Sequence, residues 1–84
     1  MRVQIVSRAG VEWEGDASSV VVPSQEGEVG ILPGHTPMLA LLAEGTVRVA
    51  NDVETHEFKV AGNSFVTVDS DLIYIVVESA TVAA

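Results

Sequence analysis

The sequence predicts an all-β fold: an antiparallel β-sandwich or flattened barrel of short strands. Three observations predict it. Sixteen of the 84 residues are valine, whose β-branched side chain packs well on a pleated surface. Apolar and polar residues alternate in short runs, and Gly, Asn, Asp and Ser separate the runs. Only residues 37–43 have a helix-forming composition, and they are too few for a stable isolated helix. A chain this short buries about 60–65% of its unfolded surface, enough for one core. Aromatic residues make up 5% of it, so aliphatic side chains must fill that core. Residues 1–84 are expected to form one sandwich domain.

The elements follow in order. Val3 to Val6 reads as an opening strand, not as a signal or transit peptide. Val11-Glu12-Trp13-Glu14 alternates, which predicts Val11 and Trp13 on one face and two acids on the other. Gly15-Asp16 is expected to turn. Ala17 to Val22 becomes wholly apolar, as a strand covered on both faces does. Residues 37–43 are expected to form a helical turn or an irregular strand, stopped by Gly45. Thr46 to Val49 alternates again, and Asn51-Asp52 predicts a hairpin turn. In Val53 to Val60, the reading sets His56, Phe58 and Val60 on one face and Thr55, Glu57 and Lys59 on the other. Ala61 to Ser64 turns. Phe65 to Val68 then pairs with Leu72 to Val77 across Asp69-Ser70-Asp71. That last strand is apolar on both faces and is predicted to be central.

The formal net charge is −8, with twelve acids against four bases. Phosphate recognition needs clustered Lys and Arg, so nucleic acid is excluded as a partner. Anionic lipid would repel such a surface. A basic protein partner is compatible with it, and a solvated acidic exterior is the simpler account. Cysteine is absent, so there is no disulfide framework and no thiolate metal site. No stretch approaches the roughly 20 apolar residues that span a bilayer. Direct membrane insertion is therefore not expected, and any membrane association would come through another protein.

Val20 to Pro37 is the most informative stretch. Pro23, Pro33 and Pro37 each lock φ and remove a backbone donor. Gly27, Gly30 and Gly34 supply backbone angles that other residues resist. The reading is a rigid loop shaped by these six residues, presenting Glu26, Glu28 and His35 to a partner. A metal site at His35 would need at least two further converging ligands, with Glu26, Glu28 and His56 the candidates. No His-x-His or His-x-x-x-His spacing exists, so a turn-bracing hydrogen bond is the simpler role for His35. Glu26 and Glu28 lack the enclosed setting that an acid/base pair requires. They read as solvated charge or as anionic contacts to a basic partner residue. The glycines make no phosphate loop, and Ser18, Ser19 and Ser24 have no nucleophile-elbow context. Trp13 reads as core. No catalytic residue, cofactor site or metal site is predicted.

Val21, Val22, Pro23, Glu26, Gly27, Glu28, Gly30, Ile31, Pro33, Gly34, His35, Pro37 and Leu39 fill a pattern that resembles the N-terminal β-sandwich domain of the epsilon subunits of rotary F1Fo ATP synthases. Gly45-Thr46-Val47-Arg48-Val49, Phe65 to Val68 and Ile73 to Val76 look like later strands of that family. Ser24 and Thr36 depart from its usual glycine and alanine, and Gly62-Asn63 stands where it has paired glycines. Asn tolerates a left-handed backbone, so that turn is expected to survive.

The resemblance implies a non-catalytic rotor subunit in the central stalk. Its implied partners are the gamma subunit and the c-subunit ring, and it would couple proton-driven rotation to ATP synthesis. Glu28 and His35 are implied to face the polar loops of the c ring. The implied location is peripheral, on the cytoplasmic face of a bacterial plasma membrane. The family's inhibitory two-helix domain has no counterpart up to Ala84, so a naturally short or truncated epsilon is expected. Two rival readings stand beside this one: a metal-binding β-barrel using His35, His56 and Glu28, and a self-associating β module.

Overall fold

A computed structural model describes residues 1–78 and 80–82. Its strands are β1 (Arg2–Ser7), β2 (Gly10–Asp16), β3 (Ser19–Ser24), β4 (Gly27–Ile31), β5 (Met38–Leu42), β6 (Gly45–Ala50), β7 (Thr55–Val60), β8 (Ser64–Asp69), β9 (Leu72–Val76) and β10 (Ala80–Val82). They form one continuous sheet that curls over on itself, in the order β10-β7-β6-β3-β5-β8-β9-β1-β2, with β4 added on β3. The two halves join at a single residue pair, Ser24 with Leu42. Backbone hydrogen bonds flank it, from Gln25 N–H to the Leu41 carbonyl (3.0 Å) and from Ala43 N–H to the Pro23 carbonyl (2.7 Å). At the other margin the Trp13 ring of β2 lies 5.2 Å from His56 and 6.0 Å from Phe58 of β7, centroid to centroid. This aromatic contact bridges the two layers where, among the described residues, no strand pairing joins β2 to β7.

Alternation builds the core from both halves. Val3 and Ile5 of β1, Val66 and Val68 of β8, and Ile73 and Ile75 of β9 point inward. They meet Val20 and Val22 of β3, Val47 and Val49 of β6, and Phe58 and Val60 of β7. Each such side chain contributes about 1.5–3 kcal/mol by leaving water. Two glycines make room for neighbouring rings. A Cβ on Gly45 would stand 2.9 Å from Cβ of Pro23, and one on Gly15 would stand 2.7 Å from the Trp13 ring.

The hairpins β6–β7 and β8–β9 are as the sequence predicts, and Phe58 and Val60 point inward. Several expectations are corrected. Residues 20–37 are not one loop: Gly27–Ile31 is a strand, paired with β3 through a turn at Gln25-Glu26. Pro23 and Gly30 therefore lie inside strands and shape no loop. Pro23 fits because β3 changes neighbour there, from β6 at Val21 to β5 at Ser24, so its missing N–H breaks no ladder bond. Gly15 and Asp16 do not turn but pair with Val3 and Arg2. Val11 and Trp13 do not share a face, because a β-bulge shifts the register opposite Ile5 and Val6. Val11 then pairs with Val6 and stands 58% exposed.

Residues 38–42 are a regular strand, since β8 supplies the ladder that composition cannot show. β3 and β9 are covered on one face only, with Val21 half-buried and Tyr74 exposed. The sheet is also not wholly antiparallel. β1 and β9 run parallel, no hairpin joining them to dictate the opposite sense. β10 was not anticipated, being three residues long.

Candidate functional site

Three surface features could meet a partner. The first is the turn between β4 and β5. His35 N–H donates to the Leu32 carbonyl at 3.1 Å, and Gly34 has φ 82°. Proline second and a left-handed glycine third is the arrangement of a type II turn. The Asp71 carboxylate reaches across from the β8–β9 turn and accepts Gly34 N–H at 2.8 Å. Asp71 itself has φ 60°, and its carbonyl accepts Arg2 N–H at 2.9 Å. One aspartate thus ties three segments together. His35 Nδ1 lies 2.7 Å from the Thr36 carbonyl. A carbonyl only accepts, so Nδ1 carries the proton and Nε2 is left for a partner. The turn-bracing role predicted for His35 is present.

The second feature is the outer face of β3, β4, β6 and β7. Arg48 of β6 pairs with Glu57 of β7 (3.4 Å) and approaches Glu28 of β4 (3.8 Å). All three side chains are largely exposed, so each pair is worth at most about 1 kcal/mol. Gly30, in the row that contains Arg48 and Val21, leaves space for that reach. Glu28 and His35 are not brought together. The run of β4 from Glu28 to Ile31 separates them by about 10 Å of extended chain. Glu26 sits in the hairpin turn, its N–H bound to Ser24 Oγ at 3.2 Å. Gly27, with φ 124°, shapes that turn as predicted.

The third feature was not legible in the sequence. Register aligns Leu41, Phe65, Val76, Val6 and Val11 in one row across β5, β8, β9, β1 and β2. The row lies on the outer face and is half-buried in the middle, with Leu41 (57%) and Val11 open at its ends. Leu39, 66% exposed, and Tyr74 stand in the next row. The doubly apolar run of β9 was the one signal for it.

Among the described residues, no three His, Cys, Asp or Glu side chains converge to hold a metal ion. His56 is engaged with Trp13 and Glu54 instead, its Nε2 3.2 Å from the Glu54 carboxylate. Also among the described residues, no helix is long and apolar enough to cross a membrane.

The family model for the ATP synthase delta/epsilon chain, β-sandwich domain, matches residues 1–83. The chain belongs to that family. The ATP synthase epsilon chain of Micrococcus luteus is 42% identical over 80 residues, covering 95% of this chain and 88% of that one. A chain in the Euglena gracilis mitochondrial ATP synthase (OSCP/F1/c-ring) superposes with a TM-score of 0.87 at 19% identity, covering 95% of this chain and 51% of that one. A chain of the Tetrahymena thermophila mitochondrial ATP synthase central stalk and c ring gives 0.80 at 18% identity, with 96% and 65% covered. At these identities the structural likeness is one of fold. The chain spans 58–65% of several longer bacterial epsilon chains.

Within this delta/epsilon domain, the motif from Val21 to Leu39 resolves into three pieces: the β3–β4 hairpin, the clamped Pro33-Gly34 turn, and the start of β5. Asn63, in place of the second of the family's paired glycines, adopts φ 62°. The left-handed turn survives the substitution as expected. Asp71 is the contributor the sequence reading missed. An Asp-Ser-Asp turn signals a hairpin but not which distant N–H its carboxylate will meet.

Proposed function

We propose that this protein is an epsilon-type rotor subunit of an F1Fo ATP synthase, joining the gamma subunit to the c ring and performing no catalysis itself. The family match over residues 1–83 carries the reading. Gamma takes the apolar row through Phe65 and Val76, the part of the surface that water disfavours most. Glu28 and His35 contact the polar loops of the c ring at two separate points. The Asp71 clamp supports this, because a turn held at 2.8 Å keeps its position under torque. Glu28 supports it as well. Its bond to Arg48 is long and solvated, so a basic loop residue displaces it at little cost. The implied location is peripheral, at the cytoplasmic face of the membrane.

The test is to mix the protein with purified gamma subunit and measure size-exclusion chromatography with light scattering. A complex with one copy of each is the expected result. No complex, with circular dichroism still that of the folded chain, removes the gamma assignment. Glu28→Ala in the assembled synthase is expected to weaken c-ring attachment or coupling while leaving the fold intact. Unchanged proton-pumping efficiency would count against the c-ring contact.

A further inference from the structure

The outward edge of β5 is left without a partner along most of its length. β8 occupies one side of the strand from Met38 to Leu42. On the other side β3 pairs only at Ser24 with Leu42. In an antiparallel ladder a residue's N–H and C=O point to the same side. The Leu41 carbonyl accepts Gln25 N–H on the β3 side. Leu39, two residues earlier, therefore turns both its N–H and its C=O to that same side, where no strand is paired. Leu41 N–H points there too.

Proteins usually guard such edges with charge, proline, bulges or short length. The edge strand β2 carries a bulge and Glu12, Glu14 and Asp16. The edge strand β4 carries Glu28 and two glycines. β5 reads Met-Leu-Ala-Leu-Leu, with no charge, no proline and no register shift. Beside it runs a groove of about 240 Å³ between Ser24, Gln25 and Glu26 on the hairpin and Leu39, Ala40 and Leu41 on the strand. Leu39 and Leu41 are 66% and 57% exposed at its lip. Among the described residues, no cation pairs with Glu26.

The geometry points to a strand-addition site: the β5 edge receives an extended segment of another polypeptide, carrying an apolar residue beside a lysine or arginine. Backbone pairing at Leu39, together with the free Leu41 N–H, supplies the hydrogen bonds, as in other strand-augmentation sites. The apolar side chain stands beside Leu39, since Gln25 already holds the place next to Leu41, and the cation meets Glu26. The site is independent of which protein supplies the segment and of the rotor assignment.

The probe is a short end-capped peptide alternating valine and lysine, added to the full chain and followed by amide hydrogen exchange and NMR shifts. The expected result is slowed exchange at the Leu39 and Leu41 amides. The same peptide N-methylated at alternate residues keeps its charge but cannot pair, and the protection is expected to vanish with it. In Leu39→Pro the lost N–H is the outward one, so pairing with β8 survives and peptide-induced shifts in β5 are expected to disappear. Because that variant could fail to fold, the N-methylated peptide on the unaltered chain is the decisive control. Shifts scattered over the acidic surface with β5 amides unchanged would overturn the proposal. So would protection at Leu39 that rises with protein concentration alone and accompanies a dimer in light scattering, since a second copy would then be the occupant.

Discussion

Outward from β6 and β7 point Thr46, Arg48, Glu57 and Lys59; outward from β8 and β9 point Phe65, Thr67, Tyr74 and Val76. Both sheet halves present apolar inner faces, so folding demands the same thing of each. Their outer faces differ because the inner core places no demand on them. One is a solvated face laced by Arg48, Glu28 and Glu57. The other carries an apolar row across five strands, which costs solubility and contributes little to the core. A surface of that kind marks an interaction site. The clamped turn and the acidic hairpin lie at the two ends of β4, and each also touches the apolar half, one through Asp71 of the β8–β9 turn and the other through Leu41 of β5.

The comparison can be tested by substitution. The largest effect is expected between neighbours on one strand. Ile75→Ala, on the fully buried inner face of β9, should cost about 2–5 kcal/mol in urea denaturation. Tyr74→Ala, one residue away and pointing outward, should cost less than about 1 kcal/mol. Equal costs would mean that the outer face is already covered in the isolated chain. Next, Phe65→Ala in the middle of the apolar row should weaken gamma binding by about 2 kcal/mol, roughly thirtyfold, in calorimetry of chains shown to be folded. Unchanged affinity would move gamma off this face.

Asp71→Ala removes the acceptor for Gly34 N–H and puts alanine at a left-handed backbone, at a cost of about 1–2 kcal/mol. Hydrogen exchange should quicken at Gly34 in particular, and a uniform change would deny the clamp. The smallest effect belongs to Arg48→Ala on the polar face. Its two ion pairs are exposed, so stability should shift by less than about 1 kcal/mol and less still at high salt. A loss comparable to that of Ile75→Ala would erase the distinction between the faces.

Some of this was open to reading. The β6–β7 hairpin was legible because Val47 and Val49 alternate with Arg48, and Phe58 and Val60 with Lys59, around a turn rich in Asn and Asp. β4 was not, because its two glycines and its glutamate look like loop chemistry until β3 supplies a partner for each residue. The bulge in β2 was hidden too, since Val11-Glu12-Trp13-Glu14 alternates perfectly and only pairing with β1 shows where the count slips. Of the candidate site, the Pro33-Gly34 turn and the bracing of His35 were readable from local backbone chemistry. The Asp71 clamp and the separation of Glu28 from His35 were not.

The amino-acid order by itself determined which residues face inward where polar and apolar residues alternate cleanly, as in β6 and β7, because side chains alternate with a period of two and burial of valine and phenylalanine enforces it. It also determined the local turns, where glycine, proline and asparagine select backbone angles within a few residues. Tertiary structure alone decided which outward residues become neighbours. Leu41, Phe65, Val76, Val6 and Val11 form one row only because register across four strand pairings aligns them. Register is a property of two strands together, and no period within one strand encodes it.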